Sequence, residues 1–149
     1  MNNLAHSTIL LVEDDPADVF RIQRAFRRAN LASPLEVVMD GEKAIQYLSG
    51  QGPYQDRERY PLPTLVLLDL KLPRYSGFEV LSWLRQESDV KNLLVVVLTS
   101  SDQQIDIERA YELGANSYLA KPPEPNALVE MVQAIGLYWL TFNRRPQVQ

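Results

Sequence analysis

The chain has 149 residues, no cysteine and a net charge of −4. That length suits one domain burying roughly 68–70% of its unfolded surface, and the missing cysteines exclude disulfides and thiolate metal sites. No run approaches the ~20 apolar residues of a membrane span, residues 1–6 lack the regions of a signal peptide, and no basic stripe invites nucleic acid, so a cytoplasmic domain is expected, without membrane or direct nucleic-acid partners.

After the tail 1–6, Thr8-Ile9-Leu10-Leu11-Val12 is an apolar, strand-type run that ends on Glu13-Asp14-Asp15. Asp15-Pro16-Ala17-Asp18 then supplies a helix N-cap, a proline at the first helical position and an acid in the first turn. Val19, Ile22, Phe26 and Ala29 form one stripe of that helix. A short strand from Leu35 to Met39 leads through Asp40-Gly41 to a second helix carrying Ala44, Ile45 and Leu48. Residues 49–63, rich in Pro, Gly and charge, form a long connection of the kind that is functional or mobile.

Thr64-Leu65-Val66-Leu67-Leu68-Asp69, bounded by Pro63 and Pro73, predicts a strand covered on both faces with a lone carboxylate at its mouth. Ser76-Gly77-Phe78-Glu79 has capping-box spacing, and Val80, Leu81 and Leu84 give the third helix its core face. The run Leu93–Leu98 ends on Thr99-Ser100-Ser101. A helix opening near Ser101-Asp102-Gln103-Gln104 is stopped by Gly114, and Ser117-Tyr118-Leu119-Ala120 ends on Lys121-Pro122. The fifth helix runs from near Asn126 to about Leu140, followed by the tail 141–149. Leu128, Val132, Ile135 and Trp139 share one face of it, and Met131, Tyr138 and Phe142 another. The alternation predicts a doubly wound (βα)5 fold with a parallel five-stranded sheet, flavodoxin-like, in the order 2-1-3-4-5.

Ligands bind such sheets at the carboxyl edge of the strands. Glu13, Asp14 and Asp69 would meet there, where two like charges at ~4 Å repel by about 4 kcal/mol at an effective dielectric near 20. Such a cluster takes up protons or binds a cation, and oxygen ligands with room for water suit Mg²⁺. Lys121 can neutralise a phosphate oxygen and Thr99 can donate to another. Nucleophile, charge neutralisation and oriented donors make up the equipment for phosphoryl transfer onto a carboxylate.

Two other phosphate-handling classes fit poorly. A haloacid-dehalogenase-like phosphatase needs a second acid two residues after its nucleophile, where this chain has Lys71. A flavodoxin-like flavin binder needs amide and hydroxyl donors after the first strand, where Glu13-Asp14-Asp15-Pro16 repels phosphate. Singly, the residues have plainer roles: Asp15 as a helix cap, Tyr118 as a half-buried strand residue, Lys71 as a loop lysine, Trp83 and Trp139 in packing or an interface. His6 is the only histidine, so a phosphoryl group must come from outside.

Together, Val12-Glu13-Asp14-Asp15, Asp69-Leu70-Lys71-Leu72-Pro73 with Gly77, Thr99-Ser100-Ser101, and Tyr118 with Lys121-Pro122 resemble a response-regulator receiver domain along the whole chain. Asp69 and Thr99 stand thirty residues apart, Thr99 and Lys121 twenty-two, as in that family. The resemblance implies a signalling protein rather than a conventional enzyme. Asp69 would be the phosphoacceptor, phosphorylated by a partner histidine kinase, and Thr99 and Lys121 would hold the phosphoryl group. Mg²⁺ would be bound by Asp69, by Asp14 directly, by Glu13 through water and by the Lys71 backbone carbonyl. Tyr118 would be an aromatic switch. Proteins of this kind often carry a cis peptide within Lys121-Pro122-Pro123, although only ~5–6% of X-Pro bonds are cis.

The fifty-five residues from Asp14 to Asp69 exceed the family's usual spacing because of residues 49–63, and Leu72 replaces a common methionine. That loop, Tyr60-Pro61-Leu62-Pro63 and Leu137-Tyr138-Trp139-Leu140 resemble the single-domain regulators paired with cyanobacterial-type phytochrome histidine kinases. Only about nine residues follow Leu140, so no output domain is expected and the signal would pass to another protein. Tyr138, Trp139 and Phe142 predict a homodimer through helix four, strand five and helix five. The alternative is a docking or adaptor module whose dimer surface alone matters, without phosphorylation.

Overall fold

The computed structural model describes residues 7–87 and 89–144; His6, the rest of residues 1–6 and residues 145–149 of the expected tail lie outside the described residues. Strands β1 (Ile9–Val12), β2 (Leu35–Val38), β3 (Leu65–Leu68), β4 (Leu94–Thr99) and β5 (Ser117–Ala120) alternate with helices. The helices are α1 (Pro16–Arg28), α2 (Gly41–Ser49), α3 (Gly77–Gln86), α4 (Gln104–Glu112) and α5 (Pro125–Ile135). All strand pairs are parallel, in the order β2-β1-β3-β4-β5, the expected doubly wound arrangement.

Every residue of β1, β3 and β4 is buried, because helices cover both faces of the sheet. Alternate side chains go to opposite layers. Leu10, Val12, Val66, Leu68, Val95 and Val97 pack against α2, α3 and α4. Ile9, Leu11, Leu65, Leu67, Val96 and Leu98 pack against Ile22 and Phe26 of α1 and Leu128, Val132 and Ile135 of α5.

The cap signals in the sequence are realised: Asp15 accepts from the Ala17 N–H, and Ser76 and Glu79 form the reciprocal capping box. Asp40 also caps α2, accepting from the Lys43 N–H. Glu124 also caps α5, accepting from the Asn126 and Ala127 amides. Contrary to the cis peptide considered for Lys121-Pro122-Pro123, no described peptide bond is cis.

The long connection is packed rather than loose. A 3-10 turn over Gly52–Tyr54 lets Tyr54 pack tilted and Tyr60 edge-on against Tyr47 of α2, with ring centroids 5.0 and 5.9 Å away. Tyr47 donates its hydroxyl to the Pro61 carbonyl at 2.9 Å, and burial pushes that hydroxyl up to about 12. The Arg57 guanidinium donates to the carbonyls of Tyr47 and Leu48 at 2.8 and 3.0 Å, tying the connection to the last turn of α2.

The fifth helix changes winding. After Ile135 the chain becomes π-helical over Gly136–Phe142. The next buried apolar residue is therefore Leu140, five positions after Ile135 as π winding dictates, while Trp139 is half-buried at the edge of that core. A continuous α-helix to Leu140 would have placed Trp139 inward.

Candidate functional site

Parallel registers align the strand ends at one edge of the sheet. Val12 lies beside Val38 and Leu68, Leu68 beside Val97, and Thr99 beside Ala120. Backbone bonds then carry the next residues into the edge. The Glu13 amide donates to the Val38 carbonyl at 3.1 Å, Asp69 to Val12 at 3.0 Å and Lys121 to Thr99 at 2.7 Å. Glu13, Asp69, Thr99 and Lys121 are thereby set in place by the sheet itself.

The loop after Asp69 is held by α3. The Gly77 amide donates to the Leu70 carbonyl at 2.9 Å, and a Cβ on Gly77 would lie 2.1 Å from the Asp69 carbonyl oxygen. Only a residue without a side chain permits α3 to start there.

Asp69 is 7% exposed, and its two carboxylate oxygens have different partners. Oδ1 accepts from the Thr99 hydroxyl and the Leu70 amide, both at 2.7 Å. Oδ2 accepts from Lys121 Nζ at 3.0 Å. Thr99 is buried, and the Lys121 side chain is only 5% exposed. Lys121 also donates to Glu13 Oε1 and, at 2.9 Å, to Asp18 Oδ2.

Oxygens of Glu13, Asp14 and Asp69 lie within 4.8 Å of one another. Glu13 and Asp69 are buried, whereas Asp14 is exposed at the opening. Three hard oxygen donors around one point, with solvent on one side, fit a divalent cation that keeps waters in its shell.

Burial pushes the Glu13 carboxyl up to about 7, against the lowering pull of its Lys121 hydrogen bond and the Asp15 amide. Burial also works against the Lys121 ammonium, but its hydrogen bonds to the Glu13 and Asp18 carboxylates and the charge of Asp69 outweigh it and raise its pKa. These directions are compatible. One lysine serves three carboxylates and stays charged, while burial holds the Glu13 carboxyl up.

The other expected residues are less concentrated. Lys71 is exposed two residues after Asp69. Tyr118 is half-buried, packs on the α4 side of the core and donates its hydroxyl to the Ser101 carbonyl at 2.9 Å, next to the loop that follows Thr99. Tyr138 is 54% and Phe142 64% exposed; Trp139 meets Tyr138 edge to face at 4.8 Å and leans on the core.

Asp18 and Arg21 were not singled out from sequence as site residues. Asp18 is held below the usual carboxylate range: burial pulls upward, but the hydrogen bond and charge of Lys121, then those of Arg21, prevail. Its signal in the sequence, an acid in the first turn of a helix, is shared by many acids that touch no site.

Residues 9–133 match the response regulator receiver domain. Over 132 residues the chain is 42% identical to response regulator Rcp1 of Synechocystis sp., covering 89% of this chain and 88% of that protein. It is 41% identical over 138 residues to the probable methanogenesis regulatory protein FilR2 of Methanothrix harundinacea, covering 93% and 86%. The phosphorylated cyanobacterial phytochrome response regulator RcpA has a similar structure, with a TM-score of 0.87 at 35% identity, covering 95% of this chain and 99% of that one. The Mn²⁺-bound form of Rcp1 aligns with a TM-score of 0.82 at 40% identity over the same shares. Receiver domains are phosphorylated on an aspartate, bind a divalent metal and answer to a histidine kinase. With a match along most of its length and that family's fold, this chain belongs to the response regulator receiver family.

Proposed function

We propose that this chain is a single-domain regulator that accepts a phosphoryl group on Asp69 from a phytochrome-type sensor histidine kinase. The observation that carries this reading is the division of the Asp69 carboxylate, with Thr99 on one oxygen and Lys121 on the other. Phosphorus attack by a carboxylate oxygen breaks the phosphohistidine P–N bond as the new P–O bond forms, and the departing imidazole keeps the electron pair. Charge grows on the phosphoryl oxygens, where the Lys121 ammonium and Thr99 hydroxyl can follow it by moving from the carboxylate to the phosphoryl group.

Magnesium is the cation that the oxygen-only donors favour, and when bound it supplies positive charge to the phosphoryl oxygens. Asp14 and Asp69 would hold it directly, Glu13 through water, with the Lys71 carbonyl completing the protein ligands. Calorimetry with Mg²⁺ and Mn²⁺ separates a general divalent site from a magnesium site.

On phosphorylation Thr99 shifts toward the phosphoryl group and Tyr118 exchanges its Ser101 carbonyl bond for an inward position, reshaping the surface of α4, β5 and α5. Exposed Tyr138 and Phe142, with Trp139 edge to face against Tyr138, are the apolar surface for a homodimer through that region. Light scattering showing a monomer at tens of micromolar, phosphorylated or not, removes the dimer.

The phytochrome pairing rests on this chain's resemblance to the cyanobacterial phytochrome response regulator RcpA and to the bacteriophytochrome response regulator RtBRR. Phosphotransfer profiling against candidate sensor kinases tests it. For the central reaction, acetyl phosphate and magnesium should add one phosphoryl mass, acid-stable and base-labile, and Asp69→Asn should abolish it. No adduct on the parent protein would leave the docking-module alternative.

A further inference from the structure

An ammonium has three N–H bonds, and three carboxylates accept those of Lys121: Glu13, Asp18 and Asp69. Glu13 and Asp69 belong to the acid cluster, whose contacts are exchanged when a cation or phosphoryl group arrives. Asp18 lies outside that cluster, on the first turn of α1. Its contact with Lys121 is the one that the reaction leaves alone.

Asp18 is itself held. Its Oδ1 accepts from Arg21 Nη1 at 3.1 Å, and Arg21 Nη2 reaches the connection between β5 and α5, donating to the Pro122 and Pro123 carbonyls at 2.7 and 3.3 Å. One turn of α1 therefore grips both the side chain of Lys121 and the backbone immediately after it. The Asp18 and Lys121 side chains are only 18% and 5% exposed, so water screens this pair less than an ordinary surface pair.

We propose that Asp18, fixed by Arg21, is a positioning residue that keeps the Lys121 ammonium over Asp69 while its other partners exchange. Lysine is a point charge on a flexible four-carbon stem, and a misplacement of ~1 Å can cost on the order of 100-fold in rate. An anchored third hydrogen bond restricts that stem throughout the reaction. This role rests on Asp69 being the phosphoacceptor.

The test is the rate of phosphorylation by acetyl phosphate, at saturating magnesium, in a double-mutant cycle. Asp18→Asn keeps the shape and removes the charge. It should slow uptake about tenfold in the parent protein but less than about twofold in the Lys121→Ala background, because Asp18 acts only through that ammonium. A merely structural role of Asp18 in α1 would slow both backgrounds alike. If Asp18→Asn does not fold, Arg21→Gln loosens the same anchor from its outer end, and its expected loss of at least about threefold must likewise vanish without Lys121. A loss under about threefold in the parent, or one that persists in Lys121→Ala, overturns the proposal. A parent protein that never gains a phosphoryl mass would instead overturn the reading of Asp69, and this role with it.

Discussion

The Thr99 hydroxyl donates to Asp69 Oδ1 at 2.7 Å, joining the ends of neighbouring strands β4 and β3 through two buried side chains. Thr99 thus already touches the group proposed to react, and the change expected on phosphorylation is a transfer of its hydrogen bond rather than a long approach. Thr99→Ala should slow phosphorylation by about 10- to 100-fold, the worth of one hydrogen bond to a charged group, and Thr99→Ser should recover most of it. Uptake from acetyl phosphate measures both. An alanine variant phosphorylated at the parent rate would show that the hydroxyl takes no part.

Gly77 links stability to the site. An added Cβ would press on the Asp69 carbonyl at 2.1 Å and the Leu70 Cα at 2.7 Å, both backbone atoms that cannot rotate aside. Gly77→Ala should cost about 2–3 kcal/mol in chemical denaturation and also weaken divalent binding, because the clash shifts Asp69 itself. A variant with parent stability and parent metal affinity would mean that α3 does not fix this loop.

The strand ends were legible because buried runs of four to six residues cannot carry a carboxylate, hydroxyl or ammonium except at their mouths. Parallel pairing then brings those mouths together whatever the loops do. Helix starts were legible at Asp15 and Ser76, where short polar side chains occupy cap positions. Residues 49–63 were not, since their packing depends on Tyr47, Tyr54 and Tyr60 meeting from separate segments, a contact without periodicity. The π-helical winding after Ile135 escaped for a related reason: a search at 3.6 residues per turn selects Trp139, and only i to i+5 spacing selects Leu140. Asp18 and Arg21 escaped because their partners lie more than a hundred residues away in sequence.

Arg85 of α3 ties three segments together. Its guanidinium donates to the carbonyls of Gly114, Lys91 and Leu93 at 2.9, 2.8 and 2.6 Å, and to Asn116 Oδ1 at 2.8 Å. Asn116 Oδ1 also accepts from the Val95 amide, so the network secures the beginnings of β4 and β5. Arg85→Ala should lower stability by about 2–4 kcal/mol, and Arg85→Lys should restore little, since a single ammonium cannot span the acceptors of a planar fork. Urea denaturation decides it. A cost below about 1 kcal/mol would mean that water replaces the guanidinium freely.

Tyr47 gives the fold a defined alkaline limit. Its hydroxyl is buried in the aromatic cluster, where desolvation raises its pKa from 10.0 to about 12, with the Glu36 charge adding to the effect. The unfolded chain loses this proton near its ordinary value while the folded chain retains it. The resulting stabilisation is present below about pH 10 and disappears as the pH rises through about 12. Tyr47→Phe removes this titration and also the hydrogen bond to Pro61, which is worth about 1 kcal/mol. The parent should therefore be the more stable protein at about pH 8 and lose that advantage between about pH 10 and 12, the phenylalanine variant showing the shallower alkaline decline. Urea midpoints at several alkaline pH values measure the difference directly. Parallel curves for the two proteins would place the Tyr47 hydroxyl in contact with water and dissolve the account of residues 49–63 as a packed segment.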